Sequence, residues 1–321
     1  MTRPDDPDPT VIARVAAHAF PRSADLVVER ISEGVSTYVY RIRRGDAVYY
    51  LRVLPEVGSG FAPEARVHAL LRERGVKVPE VVYLEHRNPD LGLSVMVTTE
   101  VCGQHIGHCR DERALRSIMV ETGRDLALIN SIRVQGFGWI KRDRAEVVAL
   151  EAELPTLRAF ALDPLEDDLA LLGHHALTAR KIDALRAAIG RADAWPESDG
   201  VEGRLAHGDF DAAHVYQQDG RYSGIIDFGE IRGADPSYDL GHVRMHDGET
   251  IPLPLLPSLL EGYGQVAPLP ADGMERIRLD CLLIATKTLA RRIRKSAAFT
   301  LGADRYAQLC VTVIRRELHD G

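Results

Sequence analysis

Two aspartates stand where chemistry can be done. Asp209, in "LAHGDFDAAHVY" (205–216), follows the end of an apolar strand, and Asp227, in "GIIDFG" (224–229), closes a second one. If these strands pair as a hairpin, both carboxylates emerge at neighbouring positions. Two close carboxylates repel each other unless a cation lies near them, so the arrangement asks for a metal or a transferring group. Magnesium with a nucleoside triphosphate supplies that cation. Alone, an Asp after Gly is ordinary turn chemistry; the second aspartate at this position gives the first its significance.

Phosphoryl transfer needs a cover for the phosphates, a cation on them, metal-holding groups and a group that orients the acceptor hydroxyl. The chain offers each of these in order. "EGVSTYVY" (33–40) is a turn between two strands, with Gly34, Ser36 and Thr37 placed to offer backbone and hydroxyl donors. Arg52, on a later strand, reaches the same phosphates, and Glu64 on the following helix holds it. Glu100, where the first β-rich region ends, is counted with them as a nucleotide contact.

The elements that must position these groups are legible from periodicity. "LVVERI", "YVYRI" and "AVYYLRV" are rich in Val, Ile and Tyr with turn signals between them, which predicts three antiparallel strands. "APEARVHALLRERG" predicts a helix stopped at Gly75, and "VKVPEVVYLE" and "LSVMVTTEV" two more strands. Residues 111–130 carry apolar groups at helical spacing, and residues 146–160, 176–193 and 274–296 are helical in composition. The prediction is an α+β chain of two lobes, a small β-rich one over residues 1–102 that binds nucleotide and a larger, mostly helical one over 103–321.

In these motifs the chain resembles the aminoglycoside phosphotransferase family, small-molecule kinases with a bilobal protein-kinase-like fold. "HGDFDAAHVY" matches that family's catalytic loop, "GIIDFGEIRGADPSYDL" its metal-binding segment, and "VQGFGWI" a landmark before the core helices. The resemblance implies that Asp209 orients or deprotonates the acceptor hydroxyl, that Asp227 holds Mg2+, and that His207 supports the loop. It implies an O-phosphotransferase using ATP or GTP and acting on a small-molecule hydroxyl, an aminoglycoside or related antibiotic, with antibiotic resistance as the physiological expectation. The alternatives on the same scaffold are a macrolide, homoserine, choline or sugar kinase, or a nucleotide-binding pseudokinase that serves as an interaction module. Three positions depart from the family pattern: His214 stands where Asn is the usual magnesium ligand, Arg52 where Lys is usual, and Ile129-Asn130 where Leu-His is usual. His214 is expected to contact metal or phosphate, although magnesium prefers hard oxygen ligands.

Composition narrows the partners. A formal charge of -7 argues against binding nucleic acid through its phosphates. Four cysteines in 321 residues form no disulfide framework, which fits a reducing compartment, and a cytoplasmic location is expected. No membrane segment is expected, because the most apolar later stretch, "CLLIATKTLA", is short and contains Lys287. The first ten residues read as a frayed tail rather than a signal peptide. Cys102, His105, His108 and Cys109 are close in sequence, but adjacent His108 and Cys109 strain a tetrahedral zinc site. Asp247, Glu249 and Glu261 are candidate acceptor contacts, against a basic run at Arg291, Arg292, Arg294 and Lys295 that reads as a solvated helix face.

Overall fold

A computed structural model describes residues 6–23, 25–32, 36–195, 202–250, 253–296 and 298–319. Helix α1 (Pro9–Ala19) leads into strands β1 (Leu26–Ile31), β2 (Tyr38–Arg44) and β3 (Ala47–Val53); helix α2 (Ala62–Glu73), β4 (Val81–Glu85) and β5 (Val95–Thr99) follow. The five strands form one antiparallel sheet in the order β1-β2-β3-β5-β4. Alternation decides its faces: Tyr38, Tyr40 and Ile42 of β2 point inward, where they meet Ile12 and Val15 of α1. The three strands expected between residues 26 and 54 form as predicted, as do the helix before Gly75 and the two strands after it.

Of the expected frayed tail, residues 1–5 lie outside the described residues, and the part from Asp8 on forms a helix start. The Asp8 carboxylate accepts from the Thr10 backbone N–H at 2.7 Å and Pro9 sits at the first helical position, so α1 starts inside the acidic, proline-rich stretch. A capping Asp followed by Pro is a helix start rather than a sign of fraying.

The rest of the chain contributes β6 (Gln104–His105), α3 (Glu112–Asn130), β7 (Arg133–Val134), β8 (Phe137–Ile140), β9 (Ala152–Leu154), α4 (Leu157–Leu162), α5 (Leu165–His175) and α6 (Ala179–Ile189). Then come β10 (Gly203–Ala206), β11 (Val215–Gln218), β12 (Arg221–Ile225), β13 (Arg232–Ala234), α7 (Tyr238–His246), α8 (Leu256–Gly264), α9 (Gly273–Lys295) and α10 (Arg305–His319). Asp111 caps α3 by accepting from the N–H groups of Arg113 and Ala114. The middle of α9 is buried almost all round, from Leu279 to Ala285, and forms the axis on which α5, α7 and α10 pack. Among the described residues no helix is long and apolar enough to cross a membrane.

Two expectations are corrected. Residues 146–160 are helical only from Leu157: β9 pairs with β8, Pro155 interrupts the chain, and the Thr156 hydroxyl then caps α4 through the Ala159 N–H. The strands ahead of Asp209 and Asp227 are not partners of one another. β10 lies between β7 and β13, whereas β12 forms a hairpin with β11. The hairpin turn is Asp219-Gly220, both at positive φ (52° and 75°), a geometry that Asp-Gly supplies at low cost. The two aspartates therefore meet across sheets, through contacts of their loops.

Candidate active site

The loop that carries Asp209 is held from beneath by one buried carboxylate. Asp239, fully buried on α7, accepts from the backbone N–H groups of His207 and Gly208, each at 2.9 Å, and from the Asn130 side-chain amide at 3.0 Å. The same Asn130 amide donates to the Leu205 carbonyl, so α3, β10 and α7 are tied at one point. Gly208 has φ +87°, and a Cβ there would collide with the Glu230 carbonyl and come within 2.7 Å of Arg232 Nε, so only glycine fits. His207 Nε2 donates to the Ile226 carbonyl at 2.9 Å, which leaves Nδ1 to accept from the Asp209 N–H at 3.4 Å. Burial, helped by the charge of His214, pushes the His207 imidazole below its usual range. It is a neutral strut that joins the loop to the Asp227 segment, the supporting part expected of it.

Asp209 projects from this loop with its side chain 40% exposed, and His242 Nε2 lies 3.4 Å from Oδ1. Burial alone would raise this carboxyl. The hydrogen bond and charge of His242, reinforced by His214 and His207, overturn that and hold Asp209 well below the usual carboxylate range.

The second cluster gathers around Asp227. Arg52 on β3 makes an ion pair with Glu64 on α2 through Nη1, while its Nη2 lies 3.7 Å from Asp227 Oδ1. Burial raises the Glu64 carboxyl, yet Arg52, with help from His68 and Arg142, brings it down to about 2. Arg142 also donates to the Gly229 carbonyl, and its own carbonyl accepts from the Gly60 N–H, so the loop after β8 bridges both lobes. Asp227 itself has φ +63°, a left-handed conformation that Asp adopts more readily than most residues, and it accepts from the Gly229 N–H at 3.3 Å. His214 links the clusters. Its Nδ1 donates to the Asp209 carbonyl at 2.7 Å, and Nε2 faces Asp227 Oδ2 at 3.7 Å. Burial lowers the His214 imidazole, but Asp211, Asp227 and Asp209 outweigh it and raise it.

This geometry fits a divalent cation at Asp227. The Asp227 carboxylate and His214 Nε2 face each other at 3.7 Å, an arrangement satisfied by a proton on the ring or by a cation between them. The Asp227 side chain is 49% exposed and its charged neighbours stand back from it, which leaves a hard oxygen open to a ligand.

Of the other expected nucleotide contacts, Gly34 lies outside the described residues. Ser36 is exposed and Thr37 buried, both just ahead of β2, whose Tyr38 and Val39 pair with Val53 and Arg52. Glu100 is exposed and separate from the Arg52 cluster, with its N–H donating to the Val48 carbonyl and its carboxylate accepting from the Tyr50 hydroxyl at 3.3 Å. Asn130, Arg142, Asp239 and His242 are the contributors that motif reading did not assign. Asp239 stands in the quoted "DPSYDL" and His242 follows it by one helical turn, so an i, i+3 reading of α7 is the signal that finds both.

On the acceptor side, the basic run is not free. Arg291 meets Glu230 at 3.4 Å, Arg292 meets Asp304 at 2.7 Å and Arg294 meets Asp168 at 2.6 Å. Arg292, Arg305, Phe299, Asp304 and Tyr306 line an open cleft beside α10. Tyr306 connects it to the catalytic loop: its hydroxyl lies 3.0 Å from His246 Nε2, and burial, with the charges of Asp209 and Asp211 also acting, raises the phenol. Asp247 is spent on the N–H groups of Leu255 and Leu256, Glu249 is 3.4 Å from Arg316, and Glu261 is exposed on α8. The His105 and His108 rings lie 4.2 Å apart, Cys102 is exposed, and among the described residues no three His, Cys, Asp or Glu side chains converge as a metal-ligand group.

Residues 27–279 match the model of the phosphotransferase enzyme family. No curated protein sequence matches the chain. Among solved structures, the chain is similar to a thermostable mutant of aminoglycoside phosphotransferase APH(4)-Ia in ternary complex with AMP-PNP and hygromycin B, at 18% identity, TM-score 0.71 and coverage of 97% of this chain and 99% of that one. It is also similar to the apoenzyme of macrolide 2'-phosphotransferase MphH from Brachybacterium faecium, at 16% identity, TM-score 0.61 and coverage of 95% and 97%. A putative fructosamine-3-kinase from Haemophilus somnus 129PT gives 16% identity, TM-score 0.61 and coverage of 96% and 97%. At these identities the likeness is one of fold, and that fold is the bilobal, kinase-like one.

Proposed function

Since the chain belongs to the phosphotransferase enzyme family, we propose that it transfers the γ-phosphate of ATP or GTP to a hydroxyl of a small molecule, with residues 1–102 holding the nucleotide and 103–321 the acceptor. The observation that carries this reading is the unbroken set of contacts from Glu64 through Arg52, Asp227 and His214 to Asp209, which joins the two lobes at one point. Arg52, Ser36, Thr37 and Gly34 would face the phosphates, and Glu100 would lie at the nucleotide's outer end. Asp227, with His214 beside it, would hold magnesium, which when bound neutralises charge on the phosphate oxygens.

Asp209 orients the acceptor hydroxyl. A loose transition state leaves that hydroxyl protonated until late, so a carboxylate of low proton affinity serves as an orienting acceptor rather than as a strong base. An aminoglycoside or related antibiotic is the first acceptor class to test, supported by the neighbour that binds hygromycin B. One observation favours a second class. The cleft beside α10 presents Arg292 and Arg305 with a single carboxylate, Asp304, already engaged by Arg292. A polycationic ligand needs carboxylates, so a macrolide, homoserine, choline or sugar hydroxyl, with at most one cation each, suits that wall better.

The experiment is nucleotide consumption with Mg2+, using ATP and GTP separately, across aminoglycosides, macrolides and metabolite alcohols. Acceptor-dependent turnover that disappears in Asp209→Ala establishes the transfer and names the acceptor class. Nucleotide binding with no turnover on any acceptor would instead leave a binding module built on a kinase scaffold.

A further inference from the structure

His242 belongs to no motif, yet it touches the side chain on which the proposed reaction turns. It is 4% exposed on α7, one turn after Asp239, and both of its ring nitrogens are committed to the catalytic loop. Nδ1 lies 3.1 Å from the Phe210 carbonyl and Nε2 lies 3.4 Å from Asp209 Oδ1. Both partners are acceptors only, so the ring that satisfies them donates from both nitrogens. The face of α7 that fixes the loop backbone through Asp239 thus also grips the loop's functional carboxylate. We propose that His242 is the positioning residue of the site: bridging the Phe210 carbonyl and Asp209 Oδ1, it fixes the Asp209 rotamer and leaves Oδ2 for the acceptor hydroxyl.

This inference rests on the phosphotransfer reading for its kinetic consequences, but the pairing itself does not. The other groups around the ring are accounted for. On α7, His246 stacks on it at 5.2 Å between ring centres, and burial, with His242 adding to it, brings the His246 imidazole down to about 4, so His246 is neutral and does not compete for Asp209. From the loop, Asp211 acts on His246 and His214, while His207 and His214 act on Asp209 from the side of Asp227. From α10, Tyr306 faces His246 and keeps its proton. His242 is the only imidazole among these that lies within 4.0 Å of an Asp209 carboxylate oxygen among the described residues.

The experiment compares wild type, His242→Gln and His242→Leu. Gln keeps one neutral donor for the carboxylate, and Leu keeps only bulk. Loss of a charge-assisted hydrogen bond predicts a kcat for His242→Leu lower by roughly tenfold to a hundredfold, at unchanged KM for nucleotide. His242→Gln should recover a large part of that loss, since its amide still offers a donor to Oδ1. Equal kcat in all three proteins would overturn the proposal, whatever the change in melting temperature. Because that assay requires turnover, the Asp209 side-chain rotamer is also read by NMR, from three-bond couplings between its Cγ and the backbone nitrogen and carbonyl carbon, assigned by comparison with Asp209→Asn. A single rotamer in wild type and averaged couplings in His242→Leu support the pairing even if no acceptor is phosphorylated. Identical couplings would refute it independently of the proposed function.

Discussion

The two aspartates of the site are held in opposite ways. Asp209 stands on a loop whose backbone donors are fixed by a carboxylate with no solvent exposure, and one of its own oxygens has a neighbouring imidazole at 3.4 Å. Asp227 is about half exposed in a left-handed backbone conformation, and its charged neighbours stand off at 3.7 Å. A group that orients a hydroxyl gains from being immobile before the substrate arrives. A group that receives a metal and phosphates gains from being left unsatisfied until they bind. On the proposed function, the difference between tight and loose support is a difference in task.

The largest test of that contrast removes each carboxylate in turn. Asp209→Ala should lower kcat by roughly 10² to 10⁴, the scale of a positioned acid-base group, with nucleotide affinity retained. Asp227→Ala should instead weaken magnesium-dependent nucleotide binding, measured by calorimetry with and without Mg2+. If both substitutions spare binding, the division of labour between the two aspartates is wrong.

A smaller effect separates the supports. In Asp239→Asn an amide nitrogen replaces one acceptor oxygen, so either the His207 or the Gly208 N–H is left facing a donor at a fully buried position. The expected loss is about 3 kcal/mol of stability, read from denaturant unfolding. Asp227→Asn, at a half-exposed position, should change stability by less than about 0.5 kcal/mol. Similar losses in the two variants would mean that Asp227 is also a structural group.

Much of this division was legible in the chain, and the parts that were not share a cause. The five strands of the first sheet, α2 and the limits of α9 follow from apolar patterning and turn signals within contiguous stretches of the chain. The residues that do the proposed chemistry, Asp209 and Asp227, stand in contiguous motifs. Their supports do not. Asn130 reaches Asp239 across more than a hundred positions, and Arg142 reaches Gly229 across nearly as many. Such contacts leave no periodic trace in a single sequence. The mispaired strands had a different origin: the Asp219-Gly220 turn was present as a two-residue hairpin signal, but the short β11 before it, with only Val215 and Gln217 facing inward, is too brief to announce itself by alternation.

The finest test concerns the point where the loosely held aspartate is anchored to the first lobe. Glu64 falls from an ordinary 4.5 to about 2 because Arg52 and His68 outweigh its burial. A carboxylate depressed in this way stabilises the folded protein above its unfolded pKa, and that contribution is lost as pH falls toward the folded value. It amounts to on the order of 3 kcal/mol, so the melting temperature should decline between about pH 5 and pH 2, and Glu64→Gln should flatten the decline in that window. Arg52→Lys sharpens the question. An ammonium keeps the charge beside Glu64 but has no second arm to extend toward Asp227, so the acid profile should change little while affinity for magnesium nucleotide falls a few-fold. If the acid decline flattens as in Glu64→Gln, the guanidinium geometry, and not its charge, is what holds α2 against β3. In that case Asp227 is less loosely supported than its distances suggest, since the fork that steadies Glu64 would steady it too.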